Sequence, residues 1–141
     1  MVIGGCGGGV DRLTAREFAR EASELCRRGN RAVTRVEIPP LRARRDASRA
    51  MAAVVVVQRG TIDDLRGIRP PDAMLGTVQT WIALLDQGAD ELELMSVRLR
   101  AGHTSEAIDY GAKATTLLDR AEELIAPLHV TSCRGPELPT V

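Results

Sequence analysis

Two proline pairs, Pro39-Pro40 and Pro70-Pro71, with a later Pro127, cut this chain into segments whose apolar residues recur at spacings of three and four. Proline has no N–H to donate and pushes the residue before it out of the helical region, so a helix must stop at each of these points. Between stops, the period of the apolar residues decides what forms. From Thr14, the positions Phe18, Ala22, Leu25, Cys26, Ala32, Val33 and Val36 share one helical face. Thr14-Ala15-Arg16-Glu17 reads as a capping box, in which threonine and glutamate each accept from a free backbone N–H. Gly29-Asn30 is the point where this segment would kink or end.

The second segment runs from about Arg42 to Leu65, with Ala47, Ala50, Met51, Val54 and Val57 on one side, followed by Ile62 and Leu65. Val54-Val55-Val56-Val57 alone would suit a buried strand. Its flanks favour helix, and no other segment reads as a strand to pair with it, so helix is expected, with Gly60 as a candidate break. The third segment, from about Asp72 to Arg100, carries the longest stripe: Leu75, Val78, Trp81, Ile82, Leu85, Ala89, Leu92, Met95 and Leu99. After the turn Ala101-Gly102-His103, a fourth helix starts near Thr104, with Glu106 and Asp109 suited to its positive end. Its apolar face is Ala107, Ile108, Ala114, Leu117, Leu118, Ala121, Leu124 and Ile125, and Pro127 ends it. The sequence therefore predicts an all-α fold. The expected architecture is an antiparallel up-down-up-down four-helix bundle over residues 13–135, with a flexible glycine-rich N-terminus (1–12) and a loose tail (136–141).

Charge narrows the function. Nineteen basic residues balance nineteen acidic ones among 141, which argues against a strongly cationic nucleic-acid binder. Phe18, Trp81 and Tyr110 are the only aromatic residues, too few for stacking on bases or sugars, so no nucleic-acid partner is expected. No run approaches the eighteen apolar residues of a membrane span. The balance hides a split: residues 1–70 hold fourteen basic and eight acidic groups, and residues 71–141 hold five and eleven. Arg27, Arg28, Arg31, Arg35, Arg42, Arg44, Arg45 and Arg49 concentrate around the first turn. Either basic and acidic helices neutralise each other side by side, or a basic end faces anionic lipid headgroups or envelope polymers.

A search for chemistry turns up little. Neither His103 nor His129 completes a Glu-x-x-His motif, because Arg100 and Ala126 stand three residues before them. Three scattered cysteines do not make a zinc site. No Gly-x-Ser-x-Gly elbow occurs, and Asp63-Asp64 and Asp90-Glu91 are adjacent residues that point apart on a helix. No catalytic residue, cofactor or metal is expected.

The three cysteines are Cys6, Cys26 and Cys133. Ile3-Gly4-Gly5-Cys6 resembles a bacterial lipobox, which implies a lipid on the Cys6 thiol, with Gly7-Gly8-Gly9 as a tether. Only Met1, Val2 and Ile3 stand before Gly4-Gly5-Cys6, fewer than the roughly 7–15 apolar residues of a signal peptide. With Cys6 so used, Cys26 and Cys133 remain, either as a disulfide or as two buried free thiols.

The wider pattern resembles the small exported helical proteins and lipoproteins of actinobacteria. The residues that carry it are Ile3-Gly4-Gly5-Cys6, Glu17-Phe18-Ala19 leading to Cys26, and Leu65 to Pro70-Pro71. Trp81 with Leu84-Leu85, Arg100-Ala101-Gly102, and Ala121 to Leu128 leading to Cys133 complete it. The resemblance implies export and a helical fold, and no reaction. The expected role is a non-enzymatic cell-envelope lipoprotein: a binding module on the outer face of the membrane, contacting an envelope protein or anionic lipid. Two other roles remain open. One is a cytosolic helical adaptor or regulator with Met1 as its genuine start. The other is an envelope carrier holding a small hydrophobic ligand among Trp81, Met95 and Val54.

Overall fold

In a computed structural model, which describes residues 12–134 and 138, the chain is helical throughout its ordered elements and four long helices pack against one another. They are α1 (Ala15–Thr34), α2 (Arg44–Arg66), α3 (Leu75–Ala101) and α4 (Thr104–Ile125). Single 3-10 turns, Asp72–Met74 and Ala126–Leu128, precede α3 and follow α4. Among the described residues there is no strand. Cys6 and the surrounding glycines lie outside the described residues, as does the tail except Leu138, which is partly buried against Met95 and its neighbours.

Local chemistry sets the ends. The capping box forms as the sequence predicts: Thr14 N–H donates to Glu17 Oε2 at 2.8 Å, and Glu17 N–H to Thr14 Oγ1 at 3.2 Å. α1 does not end at Gly29-Asn30. Glycine serves packing there, because a Cβ on Gly29 would collide with the Thr61 hydroxyl and lie 3.2 Å from Thr61 Cγ2. α2 likewise runs through Gly60 and the four valines, since only a continuous helix carries Ile62 and Leu65 into the core. α3 closes on Gly102, whose φ of 85° is the left-handed conformation that glycine tolerates without strain.

The core has two clusters, and each draws on all four helices. One gathers Phe18 and Ala22 from the start of α1, Ile62 and Leu65 from the end of α2, Trp81 and Leu85 from the first half of α3, and Leu118 and Ile125 from the end of α4. The other gathers Val33 from the end of α1, Met51 and Val54 from α2, Leu92, Met95 and Leu99 from the second half of α3, and Ala107 and Ala114 from α4. Trp81, the largest fully buried side chain, leaves its indole N–H without an acceptor among the described residues. Leu75 and Ile108, expected on core faces, are more than a third exposed.

Two polar contacts fasten the helices. Ser48 Oγ donates to Ser96 O at 2.8 Å, and Ser96 Oγ to Ser48 O at 2.8 Å, a reciprocal buried pair between α2 and α3. Past α4, the segment 130–133 is stitched to α1. Thr131 N–H donates to Ser23 Oγ at 2.9 Å, Asn30 Nδ2 donates to Ser132 O at 2.5 Å, and Val130 is buried. Cys26 lies between those anchors in sequence, and its sulfur stands at disulfide distance from that of Cys133, with Cα atoms 4.7 Å apart across 107 residues.

Candidate functional site

The arginines expected around the first turn are all exposed: Arg27, Arg28 and Arg31 on α1, Arg35 at its cap, Arg42 before α2, and Arg44, Arg45 and Arg49 on α2's first turns. Only two of the eight have a carboxylate within 4 Å among the described residues. Arg27 and Arg31 both reach Glu24 of their own helix, at 2.6 and 3.4 Å. Arg44 instead donates to the Gly102 carbonyl at 3.5 Å, which brings the start of α2 to the end of α3 and places Arg100 beside Arg44 and Arg45.

Neutralisation between helices occurs elsewhere. Arg59, farther along α2, donates to Asp90 at 2.8 Å and Glu93 at 2.7 Å on α3, and lies 3.9 Å from Asp86. The hydrogen bonds Arg59 donates to Asp90, and then to Glu93, raise its pKa further above its ordinary value. Arg66 pairs with Asp86 and with Asp63. The two alternatives for the basic half therefore divide by position: the later arginines of α2 are neutralised by α3, and those around the first turn are not.

An open groove runs between α2 and α3 above the serine pair. Arg45, Arg49 and Arg100 rim one end, Val56 and Val97 stand in its middle with Ala52, and Arg59 with Glu93 closes the other end. Val56 is 72% exposed and Val97 54%. Neither residue, nor Arg100, stood out in the sequence as part of a surface. The signal was present: Val56 and Val97 fall out of phase with the stripes through Met51 and Val54 and through Leu92, Met95 and Leu99.

Comparison with family models, with curated proteins and with solved structures finds no match for this chain.

Other candidates are weaker. A hollow of about 50 Å³ beside Cys26 and Cys133, lined also by Gly29, Val33, Gln58 and Thr61, has room for little more than a water. Trp81, Met95 and Val54 are fully buried and fall in two different clusters, so they do not face one common pocket. His103 sits at the N-cap of α4 without a side-chain capping bond, and His129 takes a left-handed φ of 60° after Leu128. Among the described residues no three His, Cys, Asp or Glu side chains gather as a metal ion would require, and no helix is long and apolar enough to cross a membrane.

Proposed function

We propose that this chain is a non-enzymatic binding module of the cell envelope: a disulfide-clamped, antiparallel up-down-up-down bundle, held to the membrane through Cys6 and presenting its arginine-rich end to an anionic partner. The observation that carries this is the group Arg42, Arg45, Arg49 and Arg100, which line adjoining hollows at the start of α2, with Arg35 exposed at the end of α1; none of the five has a carboxylate within 4 Å among the described residues. Asp46 is the acidic residue among the four, so they leave a net positive surface, and an anionic partner relieves the repulsion within it. The antiparallel order is supported by the core, where starts and ends of successive helices alternate within each cluster. The clamp is supported by the placement of Cys26 and Cys133 at bonding distance, and it favours a compartment where disulfides persist.

The positions of the ends give the anchor a geometry. Leu13 N–H donates to Arg69 O, so the chain enters α1 beside the α2–α3 connection. α1 has 20 residues and is about 30 Å long. The arginines begin on its far half and continue to the start of α2, so most of them stand about one helix length from the point where the chain enters α1. Such a module reaches outward, toward an anionic polymer or protein of the envelope, in preference to the headgroups beneath it.

Intact mass of the protein from its native host, with and without reductant and alkylation, tests the reading. The expected result is an acyl mass on Cys6 and a Cys26–Cys133 bond that resists alkylation until reduced. Three alkylatable thiols with Met1 retained would overturn the lipoprotein reading and leave a cytosolic helical adaptor. For the basic end, retention on an immobilised polyanion is expected to fall with added salt and with R35E/R42E; retention unchanged in that variant would sink the assignment.

A further inference from the structure

The α2–α3 groove combines two exposed valines, the small exposed Ala52 beside them, and three arginines at one end with no carboxylate within 4 Å among the described residues. On α2, Arg45, Arg49, Ala52, Val56 and Arg59 fall at intervals of three and four, which makes a single line along the outer face. On α3, Arg100, Val97 and Glu93 form the facing line, spaced likewise. The fourteen steps from Arg45 to Arg59 span about 21 Å, the length of four turns of helix.

We propose that this groove is a docking site for an amphipathic helix of another protein, with an apolar centre on Val56 and Val97 and acidic residues against Arg45, Arg49 and Arg100. This rests on the reading of the chain as a binding module and names the class of its partner. The apolar middle supplies area to remove from water, and the small exposed side chain of Ala52 lets a partner backbone approach closely. The arginines select the sign of the partner, through charge-assisted bonds to carboxylates. Charge also decides against a membrane as occupant. Glu93 lines the other end of the face, and Asp86 and Asp90 stand around Arg59 beside it, so a flat anionic bilayer laid along the face would meet carboxylates at that end. A helix seated in the groove places its own charges end by end and avoids them.

The test uses the full chain and two labelled 18-residue helical peptides. Each has a Leu/Ala face with its flanking charges confined to one half of the helix, Glu in one peptide and Lys in the other. Fluorescence anisotropy is expected to show saturable binding of the Glu peptide alone. That binding should weaken at least tenfold in V56E/V97E and in R45E/R49E, and stay unchanged in R27E/R28E. Both valines are exposed, so circular dichroism should report an unaltered fold. No binding, equal binding of the two peptides, or binding that survives V56E/V97E would overturn the proposal. So would loss, in V56E/V97E, of self-association or of binding to phosphatidylglycerol vesicles in place of peptide binding; these outcomes make the occupant a second copy or a membrane. The basic end and the groove share Arg45 and Arg49, so the two readings are separated by R35E/R42E, which should lower polyanion retention and leave peptide binding intact, and by V56E/V97E, which should abolish peptide binding and leave retention.

Discussion

Gly29 and Thr61 set the closest approach of α1 to α2, and the contact leaves no room for a methyl group. Gly29→Ala gains helix propensity of about 1 kcal/mol, but overpacking against Thr61 costs about 1–3 kcal/mol. Net destabilisation is expected, and Thr61→Ala in the same chain should recover part of it; a double-mutant cycle by urea denaturation measures that coupling. Glu17 gives a second handle. The hydrogen bond from the Thr14 backbone N–H, then the Thr14 side chain, holds its carboxyl below the ordinary glutamate value. A lowered folded pKa means the capping contribution is complete above the unfolded value of about 4.3 and fades as pH falls through the folded value. The α1 amides near Thr14 should therefore lose exchange protection in that acid window, and Glu17→Gln should flatten this part of the profile.

At the scale of the element, α2 is a helix despite a run of four β-branched residues because the alternatives fail. A lone strand would leave its backbone groups unpaired, whereas a helix satisfies them internally and puts Met51, Val54 and Val55 into the core. The same helix is bound to α3 by the serine pair. Ser96→Ala removes the bond to the Ser48 carbonyl and is expected to cost about 1 kcal/mol. Ser48→Ala/Ser96→Ala should cost less than the sum of the single changes, because each single change already removes the 3.2 Å contact between the two hydroxyl oxygens, and the double change loses it only once. Denaturant midpoints for the four chains decide this, and strict additivity would show that the two bonds act independently.

At the scale of the molecule, residues 107 apart in sequence meet where the chain after α4 crosses α1. A bond closing a loop of about 100 residues contributes up to about 4.7 kcal/mol by restricting the unfolded chain. Cys26→Ser/Cys133→Ser is therefore expected to lower the denaturation midpoint by several kcal/mol equivalent, without melting the helices at 25 °C in the absence of denaturant. Ser23 with Thr131 and Asn30 with Ser132 still hold the segment in that variant. A midpoint identical with and without reductant would show that the thiols are not joined.

Helix positions, the capping box at Thr14 and the residues of the core were legible in the sequence because each depends on neighbours three or four residues away. Periodicity and proline stops carry that information directly. Gly29-Asn30 and Gly60 misled as breaks because local propensity cannot register what a distant helix gains from continuity. The arginines were visible as a cluster, but their partners were not: that Arg59 and Arg66 meet α3 carboxylates, while Arg45 and Arg49 lie beside Arg100 with no carboxylate within 4 Å among the described residues, depends on how α2 and α3 lie against each other. Val56 and Val97 became a surface for the same reason. By itself, the sequence determined which faces must be buried, since burial follows the helical period. Only the tertiary structure decided which exposed residues share a groove, because that is set by the packing of helices far apart along the chain.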